Sequence, residues 1–357
     1  MVCVGPIPPP VHGASLVTAA VIERLAEAAP TKVVDVSPRG SGRLAHHASR
    51  ASAHLRATLT LVAACRSHRT LYASLPGGSS ILYFTVIFAV ARVARYRIVV
   101  HHHSFAYVTT PSRALAVATR FAGRDARHVV LCGCHGHRLE AGYRAIRTTI
   151  VCTNAWVVQP ALPGASAQRS TRPTPGRLVI GHLANLSVDK GLGTVVALAE
   201  RLLDDGLDVE LRLAGPCADE AAARIVAHAV RVRPERVSHA GPLYGAAKAE
   251  WFESIDVFVF PSTYANEAAP LVVEEALAAG AATATTDLGC MGTETSPRIH
   301  DAFAPAELTT RLEEWARSFI DDPPDRDAVR AWSAQRRTIS TGQLDALVAG
   351  LASHRGS

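Results

Sequence analysis

At 357 residues the chain exceeds the ~250–300 at which a single hydrophobic core stops growing, so two domains are expected. A composition of 48% hydrophobic and 19% charged residues, with no low-complexity tract and no internal repeat, excludes a fibrous, disordered or solenoid protein. The net charge of +6 divides unevenly: residues 1–165 hold 18 basic against 5 acidic side chains, or +13, and the remainder holds 19 against 26, or −7.

A basic first half points to an anionic partner, either a phosphorylated, lipid-linked acceptor or an acidic membrane surface. Nucleic acid is not expected, because the basic residues are scattered and no binding motif accompanies them. Seven cysteines, an odd number and dispersed among apolar stretches, argue against a disulfide framework. The longest apolar stretch, Ile81–Ala91, is too short for the ~20 residues of a spanning helix and reads as a core or interfacial helix. The expected location is the cytoplasm, with peripheral attachment to the inner face of the plasma membrane as the role for the basic half.

From the first residues onward, short apolar runs alternate with helical patterns, the signature of βαβ units and a parallel sheet. Val2–Gly5 reads as a strand, followed by a Pro/Gly loop and a helix from about Ser15 to Ala28. Strands are expected at Lys32–Val36, Tyr72–Leu75, Arg97–His102 and His128–Leu131, with a helix over Ser80–Ala94, and Val151–Asn154 closes this half. Gln159–Gly176, rich in Pro, Ser, Thr and Arg without periodicity, reads as an interdomain linker. Strands then follow at Arg177–Leu183, Val209–Ala214, Val237–Ala240, Val257–Phe260 and Ala282–Thr286, with helices at Leu192–Leu203, Glu220–Val232, Ala246–Ser254 and Leu271–Ala279. From Arg326 the pattern is helical, with no strand to follow.

The expected fold class is therefore α/β: two Rossmann-like doubly wound domains facing across a cleft. The expected division is 1–165 for the acceptor domain, 166–176 for the linker, 177–325 for the donor domain and 326–357 for a helical segment returning to the first domain.

The stretch Phe260–Gly280, FPSTYANEAAPLVVEEALAAG, carries the most chemistry. A buried strand ends at Phe260, a loop presents Glu267, and a helix begins near Pro270–Leu271 with unpaired backbone amides suited to phosphate. Glu275, one turn into that helix, can accept hydrogen bonds from two vicinal hydroxyls of a ribose, as Glu267 can from a sugar. Carboxylate, phosphate site and carboxylate together suit a nucleotide-sugar. Gly13, between the first strand and helix, allows close backbone approach to a phosphate or sugar. No G-x-G-x-x-G follows that strand, which argues against a nicotinamide enzyme. His101 and His103 share one face of their strand end and His102 takes the other. Neither these nor Cys132-Gly-Cys134-His135-Gly-His137, which follows a strand and reads as a loop and helix start, matches a standard metal-binding pattern, so no metal is expected.

The E-x7-E spacing of Glu267 and Glu275 resembles the donor-site signature of GT-B-fold retaining glycosyltransferases of family 4. GPIPPPVHGAS at the start, HHHSFAY at 101–107, VCTNA, GHLANLSVDKGL at 181–192, LAGP at 213–216 and HAGPL at 239–243 fall in that family's order. The resemblance implies a retaining, metal-independent hexosyltransferase with a nucleotide-sugar co-substrate, UDP- or GDP-linked, and no further cofactor. It gives Lys190 the role of diphosphate cation and places Asn185 where the family has an arginine. It sets His103 beside the transferred sugar, with Ser104 next to it and His101 second, and it frames the nucleobase with Gly215, Pro216 and Leu243. It also implies front-side displacement, with the leaving diphosphate held by Lys190, the amides at Pro270–Leu271 and the Gly13 loop. The acceptor stays open between an envelope polysaccharide or glycolipid and a small natural product. A catalytically silent scaffold is the non-enzymatic alternative.

Overall fold

The structure is a computed structural model that describes residues 1–37, 43–158 and 176–352. The chain divides into two compact units, Met1–Val157 with Ile339–Ser357, and Val158–Thr338. The linker expected at 166–176 lies outside the described residues except for Gly176, as does the end of the tail.

The first unit contains strands β1 (Val2–Gly5), β2 (Lys32–Asp35), β3 (Thr70–Leu75), β4 (Arg97–His102), β5 (Arg127–Val130) and β6 (Thr149–Val151). They form one sheet of order β2-β1-β3-β4-β5-β6, with every pairing parallel. The helices are α1 (Gly13–Ala28), α2 (Arg43–Ala64), α3 (Ile81–Val93), α4 (Ala106–Thr109), α5 (Arg113–Ala122) and α6 (Gly133–Gly142). The chain runs outward from β1 to β2, then returns past β1 to β3 and continues the other way. With right-handed crossovers, that reversal puts α1 on one face of the sheet and α2, α3 and α5 on the other. β1, β3 and β4 are almost wholly buried, as strands covered by helices on both faces must be.

The second unit repeats the plan with β7 (Arg177–Leu183), β8 (Asp208–Ala214), β9 (Val237–His239), β10 (Val257–Phe260), β11 (Ala282–Thr286) and β12 (His300–Phe303). Their order is β12-β11-β10-β7-β8-β9, again parallel throughout. Its helices are α7 (Leu192–Asp204), α8 (Glu220–Val232), α9 (Gly245–Glu253), α10 (Leu271–Ala279), α11 (Leu308–Asp321) and α12 (Arg326–Ala352). The last turns of α12 belong to the first unit. There Ser340 Oγ donates to the Thr153 carbonyl at 2.8 Å, Gln343 Oε1 accepts from the Thr153 amide at 3.0 Å, and Arg24 pairs with Asp345 at 2.8 Å.

The expectation of two doubly wound α/β domains holds, and most elements lie within two residues of their predicted bounds. Four helices, α2, α4, α5 and α11, and one strand, β12, fall where no element is expected. The buried face of α2 is Ala53, Ala57, Leu61 and Ala64, and three alanines give too little hydrophobic contrast to stand out in sequence. α5 buries Ala118, Thr119 and Ala122 beside a single leucine, Leu115, and α4 is only four residues long. β12 is an edge strand of sequence HDAF, more polar than any other in its sheet. α11 has a clear apolar stripe, Leu308, Leu312, Trp315 and Phe319, that the sequence reading passed over.

Candidate functional site

In an open doubly wound sheet, ligands bind beyond the carboxyl ends of the strands where the strand order reverses. In the second unit that reversal lies between β7 and β10, which are paired neighbours. The loop after β7 carries Lys190 and the loop after β10 carries Glu267. Packing forces the two loops together. The Thr263 amide donates to the Asp189 carbonyl at 2.8 Å, and a Cβ on Gly191 (φ +85°) would lie 2.6 Å from the Pro261 carbonyl oxygen. Only a residue without a side chain turns there.

The Lys190 ammonium and the Glu267 carboxylate form an ion pair, with Ser262 Oγ also donating to Glu267 at 3.2 Å. The same ammonium lies 4.5 Å from the centre of the Tyr264 ring and 5.7 Å from that of Phe260. Both charged side chains are largely buried, at 19% and 11% exposure, so their attraction is weakly screened.

Glu267 leads into α10, whose N-cap is Pro270 and has no side-chain cap, so the first amides of the helix lack a side-chain partner. One turn in, Glu275 forms a second charged pair: Lys248 of α9 reaches its carboxylate at 2.6 Å. Burial pushes the Glu275 carboxyl above the usual carboxylate range, and the Lys248 ammonium opposes that shift. Glu267 and Glu275 thus stand on either side of an uncapped helix start, each held by one lysine.

The other residues expected at the donor side border the carboxyl ends of β7, β8 and β9. Asn185 is exposed after β7. Gly215 (φ +107°) follows β8, and a Cβ there would lie 1.8 Å from the Ala184 carbonyl oxygen. Its amide donates to the Gly241 carbonyl at 2.7 Å, and the His239 ring bonds its carbonyl at 2.9 Å, so the LAGP and HAGPL loops are locked together. Pro216 is exposed and Leu243 packs partly buried against the core of this unit.

In the first unit, Gly13 is the first residue of α1, after the N-cap His12, whose ring accepts from the Ser15 amide at 3.1 Å. A Cβ on Gly13 would meet no atom within 4 Å, so nothing in this unit requires a glycine there. The strand end of β4 is a cluster of imidazoles. His101 and His103 stack with ring centres 4.1 Å apart, as alternate residues on one face, and Tyr72 hydroxyl bonds His101 Nδ1 at 2.7 Å. His102 turns the other way, to Tyr107 at 3.1 Å and His128 at 2.9 Å. His135 lies buried beside Phe105, with neither ring nitrogen hydrogen-bonded. Ser104 is buried next to them and its Oγ accepts from the Ala106 amide at 3.3 Å. Burial pushes His101 and His102 well below the ordinary imidazole range, helped by the neighbouring rings, and takes His128 and His135 down to about 4. The cluster is neutral at physiological pH.

No group of three or more His, Cys, Asp or Glu among the described residues is arranged to hold a metal ion. Cys132, within the cysteine–histidine stretch, caps α6 by accepting from the His135 amide at 3.4 Å.

Sequence reasoning missed Lys248. A signal was present: the chain has 37 basic residues, of which only Lys32, Lys190 and Lys248 are lysines. Two of these three pair with the two glutamates of the E-x7-E motif. Lysine, a compact point charge, is not interchangeable with arginine at such positions.

The sequence profile of the family described as glycosyl transferases group 1 matches residues 177–315, the stretch from β7 into α11. No curated protein matches the chain by sequence. Among solved structures, HepE of Anabaena in complex with UDP-glucose is similar with a TM-score of 0.69 at 18% identity, over 98% of this chain and 99% of that one. The lipopolysaccharide outer core galactosyltransferase WaaB, in its apo form, gives 0.66 at 13% identity over 96% and 97%. Sucrose-phosphate synthase from Thermosynechococcus elongatus gives 0.65 at 15% identity over 98% and 96%. The chain therefore has the two-domain α/β fold of GT-B glycosyltransferases, and its second unit matches the sequence profile of group 1.

Proposed function

We propose that this protein is a retaining glycosyltransferase of family 4 that moves a hexose-type sugar from a UDP- or GDP-sugar onto an acceptor of envelope polysaccharide or glycolipid assembly. The observation that carries the reading is the pair of lysine-held glutamates on either side of the uncapped start of α10, at the strand-order reversal of the second sheet. The group 1 profile over 177–315 supports it, as do the UDP and UDP-glucose complexes of the structural neighbour HepE.

Each residue then has a task. Glu275 accepts the ribose hydroxyls, Lys190 and the first amides of α10 hold the diphosphate, and Glu267 binds hydroxyls of the transferred sugar. Gly215, Pro216 and Leu243 frame the base, through backbone more than side chain. In the first unit, Gly13 approaches the phosphate, and His103, with Ser104 and His101 behind it, hydrogen-bonds the sugar. A neutral imidazole suits that task, because it can donate and accept without bringing charge to a sugar hydroxyl.

The reaction breaks the bond from the anomeric carbon to the diphosphate oxygen and forms one from the acceptor oxygen on the same face. The acceptor's proton passes to the departing phosphate. The protein's contribution is to stabilise charge growing on that phosphate, for which a fixed ammonium and helix amides suffice without a metal. Activity in the presence of EDTA tests the last point.

The first experiment is a thermal-shift screen against UDP, GDP, dTDP and ADP, repeated with Glu275→Ala. Stabilisation by one nucleotide, lost in the variant, fits the reading and identifies the base. If no nucleotide shifts the melting temperature, the donor site as assigned is wrong. The catalytically silent reading would then lead, favoured by one observation: Asn185, exposed after β7, offers no charge where the family has an arginine. The proton spectrum of sugar released by donor hydrolysis tests retention, since the first-formed anomer must match that of the donor.

A further inference from the structure

The first unit has a surface that the donor reading leaves unused. α2, α3 and α5 form one layer on the same side of the first sheet, with α3 packed against both of the others. A helix in such a layer ordinarily turns a polar face outward. α3, of sequence ILYFTVIFAVARV, is apolar nearly all round. It buries Ile81, Phe84, Ile87 and Phe88 while showing Leu82, Val86 and Val93 to solvent, Val93 at 86% exposure.

Its neighbours extend the feature. α2 presents Leu55, Leu59 and Val62, four and three residues apart and so on one stripe, each more than half exposed. α5 presents Val117 and Phe121, one turn apart. Of the sixteen exposed large apolar side chains among the described residues, these three helices carry eight. Exposed apolar residues scattered singly need no explanation, but stripes on three adjacent helices do.

The charge around the stripes has one sign. From Val36 to Arg124 the sequence holds twelve arginines and no aspartate or glutamate. Arg56 on α2, Arg92 on α3 and Arg113 and Arg120 on α5 are exposed among the apolar residues, with Arg66, Arg95 and Arg124 at the ends of the same helices. None of them has an acidic partner among the described residues.

We propose that the α2–α3–α5 face is a peripheral membrane-docking surface that lies on anionic lipid, with its leucine, valine and phenylalanine side chains among the acyl chains and its arginines on the phosphates. Helices lying in the interface use this combination of apolar stripe and basic rim. No helix of the described residues is long and apolar enough to cross a membrane, so the contact is with one leaflet surface. A symmetric pairing with a second copy would set arginine against arginine with no carboxylate to meet either. A nucleic acid would match the arginines and leave the eight apolar side chains in water.

This inference goes beyond the donor reading and does not depend on it. The test is flotation of the full chain with phosphatidylcholine vesicles, with and without phosphatidylglycerol, at low and high salt. Wild type is expected to bind the anionic vesicles at least tenfold more strongly than the neutral ones, and to lose much of that in high salt. Leu59→Gln/Val86→Gln is expected to weaken binding at least tenfold, and Arg56→Gln or Arg120→Gln roughly fivefold each. Because all four side chains are exposed, the variants keep the wild-type melting temperature and any nucleotide-induced shift, which separates loss of docking from loss of the fold or of the donor site. Equal binding to neutral and anionic vesicles overturns the proposal. So does unchanged binding of the double glutamine variant, or displacement from vesicles by an oligonucleotide duplex.

Discussion

The carboxyl end of β4 gathers neutral imidazoles and phenols, whereas the loop after β7 and the loop and helix after β10 bring together two glutamates, each paired with a lysine. Both sheets are doubly wound and wholly parallel, the first reversing its strand order after two strands and the second after three, in each case beside its first strand. Their chemistry does not follow from that shared plan. Burial and crowding hold the histidines of β4, β5 and α6 uncharged. Lys190 and Lys248 keep fixed positive charge beside Glu267 and Glu275. The excess positive charge of the first half is also not at its strands' carboxyl ends, where histidines stand, but on its helices, the turns after them and the starts of β4 and β5. Net charge by domain thus points to what a surface meets and says little about what a site binds.

The largest expected effect tests whether fixed charge belongs to the second unit alone. Lys190→Ala should lower kcat on the order of 10²–10³-fold, the usual cost of removing one group that stabilises a departing oxyanion. Lys190→Arg should recover only part of it, since a planar fork cannot reproduce a point charge between Glu267 and the Tyr264 ring. A kcat within a few-fold of wild type in the alanine variant would remove Lys190 from the reaction.

A smaller effect is expected at Lys248, which in the proposed site would act on the donor only through Glu275. Lys248→Met removes the ammonium that opposes the burial-driven rise in the Glu275 pKa. The carboxylate would then take up a proton at higher pH and accept ribose hydroxyls less well. The KM for the donor should rise about tenfold near neutrality, equivalent to ~1.4 kcal/mol, while kcat changes little. The acidic limb of kcat/KM against pH should move upward. An unshifted limb would mean that Lys248 is structural only.

Much of this contrast was legible in the sequence, and the parts that were not have physical causes. The strand–loop–helix around Glu267 and Glu275 stood out because a continuous apolar strand, VFVF, abuts a loop and an apolar helix. Lys190 was found through the motif around it. Lys248 was not, because it reaches Glu275 from 27 positions earlier, across a helix–helix contact that no local spacing encodes. The His101–His103 stack follows from the two-residue period of an extended chain, but His128 and His135 join the cluster only through the pairing of β4 with β5 and the start of α6. α2 escaped notice because alanines form its buried face, and so the surface it shares with α3 and α5 escaped notice as well.

The smallest expected effect concerns the imidazole side of the comparison. His135 is buried with both ring nitrogens unbonded, against Phe105 at 5.0 Å and near His102 at 6.1 Å. Burial takes its pKa from 6.5 to about 4. Above pH 6.5 the folded and unfolded chains are both neutral at this position and stability does not depend on it. As pH falls from 6.5 towards 4 the unfolded chain takes up a proton that the folded one refuses, and stability drops by up to ~1.4 kcal/mol per pH unit. Below about 4 both states are protonated and the loss stops growing. Phenylalanine has nearly the shape of the ring and no proton to bind, so His135→Phe should flatten this part of the profile. Urea unfolding at pH 7 and pH 5 should show the variant losing ~1–2 kcal/mol less than wild type between the two, with similar stability at pH 7. Equal losses would mean that His135 takes up its proton in the folded state near pH 6.5, which requires a polar partner or water at its ring and would make the first unit's cluster less uniformly neutral than its burial implies.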